Sequence, residues 1–211
     1  MRFNDGKVDR FGRLYTGTML MEGHGDVFKE RDGKLYRFDG KLGKGFIEQK
    51  DGIGISNGIT WNKENDALYY VDSCAFDVKV FQINAAGDLM NEQVLIDFSN
   101  NGKIPGFVGD GMPHDAEGNL YLAAWCGSKV LKIDPAKRSI VQEIGLPVTQ
   151  VTSVAFGGPR LDELFVTTAA TEIFDGTEGL INLRPPGSGK VFKVTGLAVK
   201  GQGMNKIVLN E

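Results

Sequence analysis

Three anchors set at one interval constrain this chain more than any other feature in it. Asn4, Asn57 and Asp110 lie 53 residues apart, twice over. Each anchors a segment of the same form: NDGKVDRFGRLYTGTM at 4–19, SNGITWNKENDALYYVDS at 56–73 and GDGMPHDAEGNLYLAAW at 109–125. In all three an Asn/Asp–Gly motif is followed by a polar turn and then a strand-like Leu-Tyr or Tyr-Tyr cluster. A degenerate fourth copy, VTSVAFGGPRLDELFVTTA at 151–169, carries Thr152 and Ser153 in place of the pair. Between the anchors a second element recurs: GKLYRFDG at 33–40, VKVFQIN at 78–84, SKVLKID at 128–134 and GKVFKVT at 189–195. Each alternates apolar and polar residues with period two, the pattern of a half-exposed strand running into a turn. A period of roughly 45–50 residues built from about four short strands is the signature of a β-propeller blade. The sequence therefore predicts an all-β propeller, residues 1–211 forming a single domain of about four blades. No sustained 3.6-residue periodicity is present, which excludes helical solenoids.

Composition narrows the function. Of the 211 residues, 41% are hydrophobic and 24% charged, as in an ordinary soluble globular protein. The net charge of −3 gives neither the basic footprint of a nucleic-acid binder nor a polybasic membrane patch. The longest apolar runs, such as LYLAAW at 120–125, are too short to cross a bilayer. Twenty-nine glycines against 7 prolines point to many tight turns. The start, MRFNDGKVDRFGR, has no apolar core of a secretory signal, two cysteines make no disulfide framework, and no glycosylation sequon occurs. These features place the expected location in the cytoplasm.

Equivalent positions of successive blades are related by rotation about one axis, so Asn4, Asn57 and Asp110 can converge on a central channel. The competing reading is that Asn-Gly and Asp-Gly pairs are hairpin turns, favoured because both residues tolerate positive φ. From the residues alone the two readings stand level.

At these residues the sequence resembles the senescence marker protein/regucalcin/gluconolactonase family, which includes the insect luciferin-regenerating enzymes. The matching stretches are RFNDGKVDRFGRLYTGTM, ISNGITWNKENDALYYVDS, PGFVGDGMPHDAEGNLYLAAW, LPVTQVTSVAFGG and GKVFKVTGLAVKG, spread from Arg2 to about Gly201. The resemblance implies a six-bladed propeller with one divalent cation in the central channel, and hydrolysis of sugar lactones. It places Asn57 and Asp110 on two of the family's three metal-ligand positions, Asp110 also on its catalytic acid/base, and Arg2, Asn4 and Glu22 on substrate-contacting positions. The family's third ligand is a glutamate of the first blade. By the same resemblance this chain starts on the third blade's inner strand, two blades short of the ring, and no position in it matches that glutamate.

The residue types agree with this chemistry. Amide and carboxylate oxygens are hard donors suited to Ca²⁺, Mg²⁺ or Mn²⁺, whereas Zn²⁺, also found with this kind of site, more usually takes His or Cys. Asp110 is the natural proton acceptor, and Arg2 offers a fixed fork of donors to substrate oxygens, its plainer reading being a solvated residue at a frayed end.

Other motifs carry less. His24 and His114 sit beside turn residues and read as turn or surface groups. A G-x-S-x-G nucleophile motif is absent. PPGSGKV at 185–191 lacks the first glycine and the Ser/Thr of a phosphate loop. Cys74 and Cys126 read as small buried thiols, Trp61 and Trp125 as packing between blades, and the turn-rich 174–189 as a solvated connection. The leading expectation is a metal-dependent lactonase acting on a small-molecule lactone, without nucleic-acid or membrane partners. The alternatives are a non-catalytic truncated member with residual calcium binding, and a propeller interaction module.

Overall fold

The computed structural model describes residues 1–40, 43, 45–99, 105–171 and 185–209. Each repeat folds as an antiparallel meander. The first comprises β1 (Arg2–Val8), β2 (Leu14–Met19), β3 (Gly33–Phe38) and β4 (Phe46–Ile53), hydrogen-bonded in that order. The second comprises β5 (Ser56–Trp61), β6 (Ala67–Asp72), β7 (Asp77–Ile83) and β8 (Leu89–Asp97). The third comprises β9 (Val108–Gly109), β10 (Leu120–Trp125), β11 (Lys129–Asp134) and β12 (Ser139–Gly145). In the fourth, β13 (Val151–Gly157), β14 (Glu163–Thr168) and β15 (Val191–Val194) are described. Four blades thus make up an all-β propeller, with the anchor segments as inner strands and their neighbours. The second recurring element forms β3, β7, β11 and β15, the third strand of each blade.

Period-two alternation explains how the blades stack. Leu68 and Tyr70 of β6 pack on Tyr15, Leu35 and Ile53 of the first blade, while Tyr69 and Val71 face the third. Leu120, Leu122 and Ala124 of β10 face the second blade, and Tyr121 and Ala123 face the fourth. LYLAAW is apolar throughout because both of its faces are covered. Trp61 is buried and meets Tyr15 edge-on across the first junction, with ring centroids 5.6 Å apart. Burial of such side chains contributes about 1.5–3 kcal/mol each, so the junctions hold the blades together.

At the end of the inner strands away from the anchors, the segment after β15 runs beneath the blades. Lys200 O accepts from Ala116 N at 2.7 Å and Gly201 N donates to Leu161 O at 2.8 Å. Farther along, Asn205 Nδ2 reaches Val8 O at 3.1 Å and Val208 N reaches Gly12 O at 3.1 Å, tying this segment to the first blade. His114 departs from the turn role expected of it. It bridges Leu120, is half-buried, and places Nδ1 2.6 Å from Thr60 Oγ1 of the neighbouring blade. His24 is exposed in a turn, as expected. The segment 174–189 lies largely outside the described residues; Pro185–Gly189 makes a turn in which Ser188 N donates to Pro185 O at 3.1 Å. Among the described residues no helix is long and apolar enough to cross a membrane.

The inner strands approach one another where a side chain would not fit. A Cβ on Gly58 would lie 2.6 Å from Asp110 O and 2.7 Å from Met112 Cβ of the third blade, and one on Gly111 would lie 2.8 Å from Ser153 Cβ of the fourth. Neither glycine has a positive φ, so close approach rather than turn geometry requires them. Gly58→Ala is expected to lower stability by about 1–3 kcal/mol, the usual effect of overpacking, measured as a shift of the urea midpoint. An unchanged midpoint would show that the two inner strands can separate freely.

Candidate active site

The anchors are not hairpin turns. Asn4 and Asp5 fall within a register shift between Phe3 and Gly6, Asn57 and Gly58 within one between Ser56 and Ile59, and Thr152 within one between Val151 and Ser153. None of the anchors takes a positive φ. In the third blade Asp110 follows the last paired residue of β9, and its N–H donates to Ala123 O at 2.9 Å. Bulges of this kind bend a strand and re-aim its side chains. Here they occur at the anchor positions of the first, second and fourth blades, and the anchors of all four blades line one cavity.

The anchors line one cavity of about 790 Å³ at the head of the inner strands. Arg2, Asn4, Glu22, Asn57 and Asp110, the five residues singled out in the sequence, all contribute to its wall. Four of them form one hydrogen-bonded chain. Arg2 Nε lies 3.0 Å from each Glu22 carboxylate oxygen, and the two side chains form an ion pair. Arg2 is therefore a held residue of β1 rather than a frayed terminus. Its Nη1 donates to Asn4 Oδ1 at 2.8 Å. Asn4 Nδ2 then donates to Asn57 Oδ1 at 3.0 Å and to Ser56 O at 2.9 Å. Asn57 Nδ2 donates to Ser73 Oγ at 2.8 Å, and Ser73 Oγ donates to Gly109 O at 2.6 Å. This sequence of donors fixes both amide orientations and leaves the second lone pair of Asn57 Oδ1 available.

Asp110 joins the group through the backbone: its carbonyl accepts from Gly58 N at 3.1 Å. Burial, and after it the nearby Asp5 carboxylate, push the Asp110 carboxyl up to about 8 against the pull of the Gly111 N–H. Burial also raises Asp5, opposed by Lys7. Lys7 itself donates to Met112 O at 3.1 Å across the axis, and burial holds its ammonium down at about 8.

Several wall residues had no assigned role in the sequence. Asp5 is adjacent to Asn4 in the same NDG motif, and Ser73 ends the YYVDS stretch; each stood beside a recognised residue. Trp125 was expected in blade packing but is half-buried and lines the cavity, as does Phe28 from the β2–β3 connection. Nothing in the spacing of Phe28 signals this. Among the described residues no group of three or more His, Cys, Asp or Glu side chains could hold a metal ion. The oxygen donors lining the cavity include the amide of Asn57 and the carboxylate of Asp110. Both are hard and of the kind that suits a divalent cation completed by water oxygens.

The chain is similar to known proteins in both sequence and fold. The family model described as SMP-30/Gluconolactonase/LRE-like region matches residues 1–170. Human regucalcin is 38% identical over 202 residues, covering 95% of this chain and 64% of its own length. The solved structure of a luciferin-regenerating enzyme superposes with a TM-score of 0.85 at 35% identity, covering 99% of this chain and 66% of that one. A regucalcin of Agrobacterium tumefaciens, described as a calcium-binding protein, superposes with a TM-score of 0.80 at 28% identity, covering 98% and 65%. The chain thus spans just under two thirds of the length of these relatives.

Two outcomes follow from the geometry. Ser73→Ala removes the acceptor of buried Asn57 Nδ2 and is expected to cost about 1–3 kcal/mol in chemical denaturation; no loss would mean that the amide is held otherwise. Cys74 and Cys126 each follow a wall residue and are buried, which pushes their thiols up to about 12 and about 11. At pH 8 both are expected to resist Ellman's reagent in the native protein and to react after unfolding. Rapid labelling of the native protein would contradict that burial.

Proposed function

The chain belongs to the SMP-30/gluconolactonase/LRE-like family, and on that premise we propose that it is a cation-supported hydrolase of small lactones. The observation that carries this reading is the meeting of Asn57 and Asp110, on the heads of adjacent inner strands, with Arg2 and Asn4 beside them in one cavity. Asn57 Oδ1 and the Asp110 carboxylate would hold the cation. Calcium is the first candidate, on the description of the Agrobacterium relative; Mg²⁺ and Mn²⁺ suit the same oxygens better than Zn²⁺ does. When bound, a divalent cation polarises an ester carbonyl and lowers the pKa of a water.

The chain's own residues supply the rest. Arg2 orients the lactone oxygens, and Asn4, lining the cavity beside it, accepts from Arg2 Nη1 and so steadies the guanidinium at the substrate. Asp110 accepts a proton from the attacking water as the water oxygen bonds to the carbonyl carbon, then returns it to the ring oxygen as the ring C–O bond breaks. The product is a hydroxy acid. Glu22 keeps the Arg2 fork aimed through its ion pair.

A second reading has support of its own. The acidic donors number fewer than a metal cluster needs among the described residues, and the chain spans only 64% of the length of regucalcin. On this reading it binds a cation weakly without turnover.

Turnover of D-glucono-δ-lactone and of unsubstituted δ-valerolactone, followed with a pH indicator, separates the two. The hydrolase reading expects EDTA to lower turnover at least tenfold, Ca²⁺ or Mn²⁺ to restore it, and Asp110→Asn to lower kcat by about 10²–10⁴. Chelator-insensitive turnover, or full activity in Asp110→Asn, would refute it. Calcium binding by calorimetry with no turnover of either lactone would establish the second reading.

A further inference from the structure

The cavity wall mixes polar side chains, among them Arg2, Asn4, Asn57, Asp110, Thr152 and Ser153, with the apolar Met19, Val27, Phe28, Ile55, Val108 and Trp125. The two aromatic members are braced. Trp125 pairs with Val108 in the sheet and bridges Gln150 of the fourth blade. Phe28 stacks on Phe76 with ring centroids 6.4 Å apart and planes 18° from parallel. Its N–H donates to Asp26 Oδ1 at 3.0 Å, and Val27 O accepts from Cys74 Sγ at 3.3 Å. Rigid, half-buried aromatic walls bind apolar surface with little ordering cost.

Resting on the hydrolase reading above, we infer that the preferred substrate is a lactone with an aliphatic or aromatic substituent rather than a polyhydroxylated sugar lactone. Its ester oxygens point toward Arg2, Asn4 and Asp110, and its substituent lies against Trp125 and Phe28. A sugar lactone carries hydroxyls around its ring and would bury some of them against side chains that offer no hydrogen bond. An alkyl substituent meets no such loss, and one methylene in an apolar pocket is worth about 10–200-fold in kcat/KM. Trp125 and Phe28 are thereby specificity-determining residues, distinct from the groups that act on the ester.

The test compares δ-nonalactone, which carries a butyl group, with D-glucono-δ-lactone on the 211-residue chain in the presence of Ca²⁺. The inference expects kcat/KM at least tenfold higher for δ-nonalactone. It expects Trp125→Ala and Phe28→Ala each to reduce that advantage at least fivefold, chiefly through KM. Preference for the sugar lactone, or equal losses on both substrates in both variants, would overturn it. Absence of turnover on every lactone would sink the hydrolase reading instead, and binding would then decide the pocket. In a Trp61→Phe protein, Trp125 is the only tryptophan, and its fluorescence can be titrated with the δ-lactam analogues of the two substrates. Quenching by the butyl lactam at tenfold lower concentration supports the inference; equal quenching, preference for the sugar lactam, or no response to either overturns it.

Discussion

The structure depends on how closely the inner strands approach one another at the height of the anchors. Asn4 Nδ2 bonds Ser56 O, Gly58 N bonds Asp110 O, and Gly111 N bonds Thr152 O, so at each junction a backbone carbonyl of the next blade accepts a hydrogen bond beside the anchor. The apolar junctions below supply most of the burial, but these three links set the distance between strand heads and hence the width of the cavity. The requirement falls on Gly58 and Gly111, whose hydrogens occupy the space a side chain would need. At the first junction a side-chain amide replaces the backbone N–H used in the other two, which makes Asn4 both a structural link and a wall residue.

That double use organises the polar groups. From Arg2 through Asn4, Asn57 and Ser73 to Gly109 O the donors all point one way, and on its other side Arg2 donates to Glu22. Such chains polarise one another in a low-dielectric setting, and a change at one member disturbs its neighbours. Asp110 stands outside the chain, and the Asp5 carboxylate acts on it from nearby. The site therefore combines a rigid, hydrogen-bonded half with a half in which two buried carboxylates oppose each other, and the cation proposed above would relieve the second.

Much of this was legible in the sequence because propeller repeats leave a period. The 53-residue interval between Asn4, Asn57 and Asp110 marked the inner strands, and the alternation in VKVFQIN and SKVLKID marked the third strands. What spacing could not decide was whether an Asn-Gly pair is a turn or a bulge, since both favour the same residues. The glycines at 58 and 111 likewise read as turn formers, although a neighbouring blade's backbone is what demands them. Trp125 was read, with Trp61, as packing between blades, yet it sits at the strand end and lines the cavity. Phe28 belongs to a connection without a repeat partner, so no periodic argument reaches it. His114 follows a Pro in a turn-like string but is drawn into the sheet by its bridge to Leu120.

The repeat also explains why the site is asymmetric although the scaffold is not. Around the axis the same position carries Asn4, Asn57, Asp110 and then Thr152, while the strands that present them keep one register. A guanidinium held by β1 and a carboxylate after β9 thus face the cavity from different blades, separated by a neutral amide on the blade between. Charge separation of this kind is hard to place on a single strand, where neighbours alternate between faces. It follows directly when one position is repeated by rotation and varied in chemistry. The scaffold fixes where each anchor sits, and the residue identity alone sets what chemistry that blade presents to the cavity.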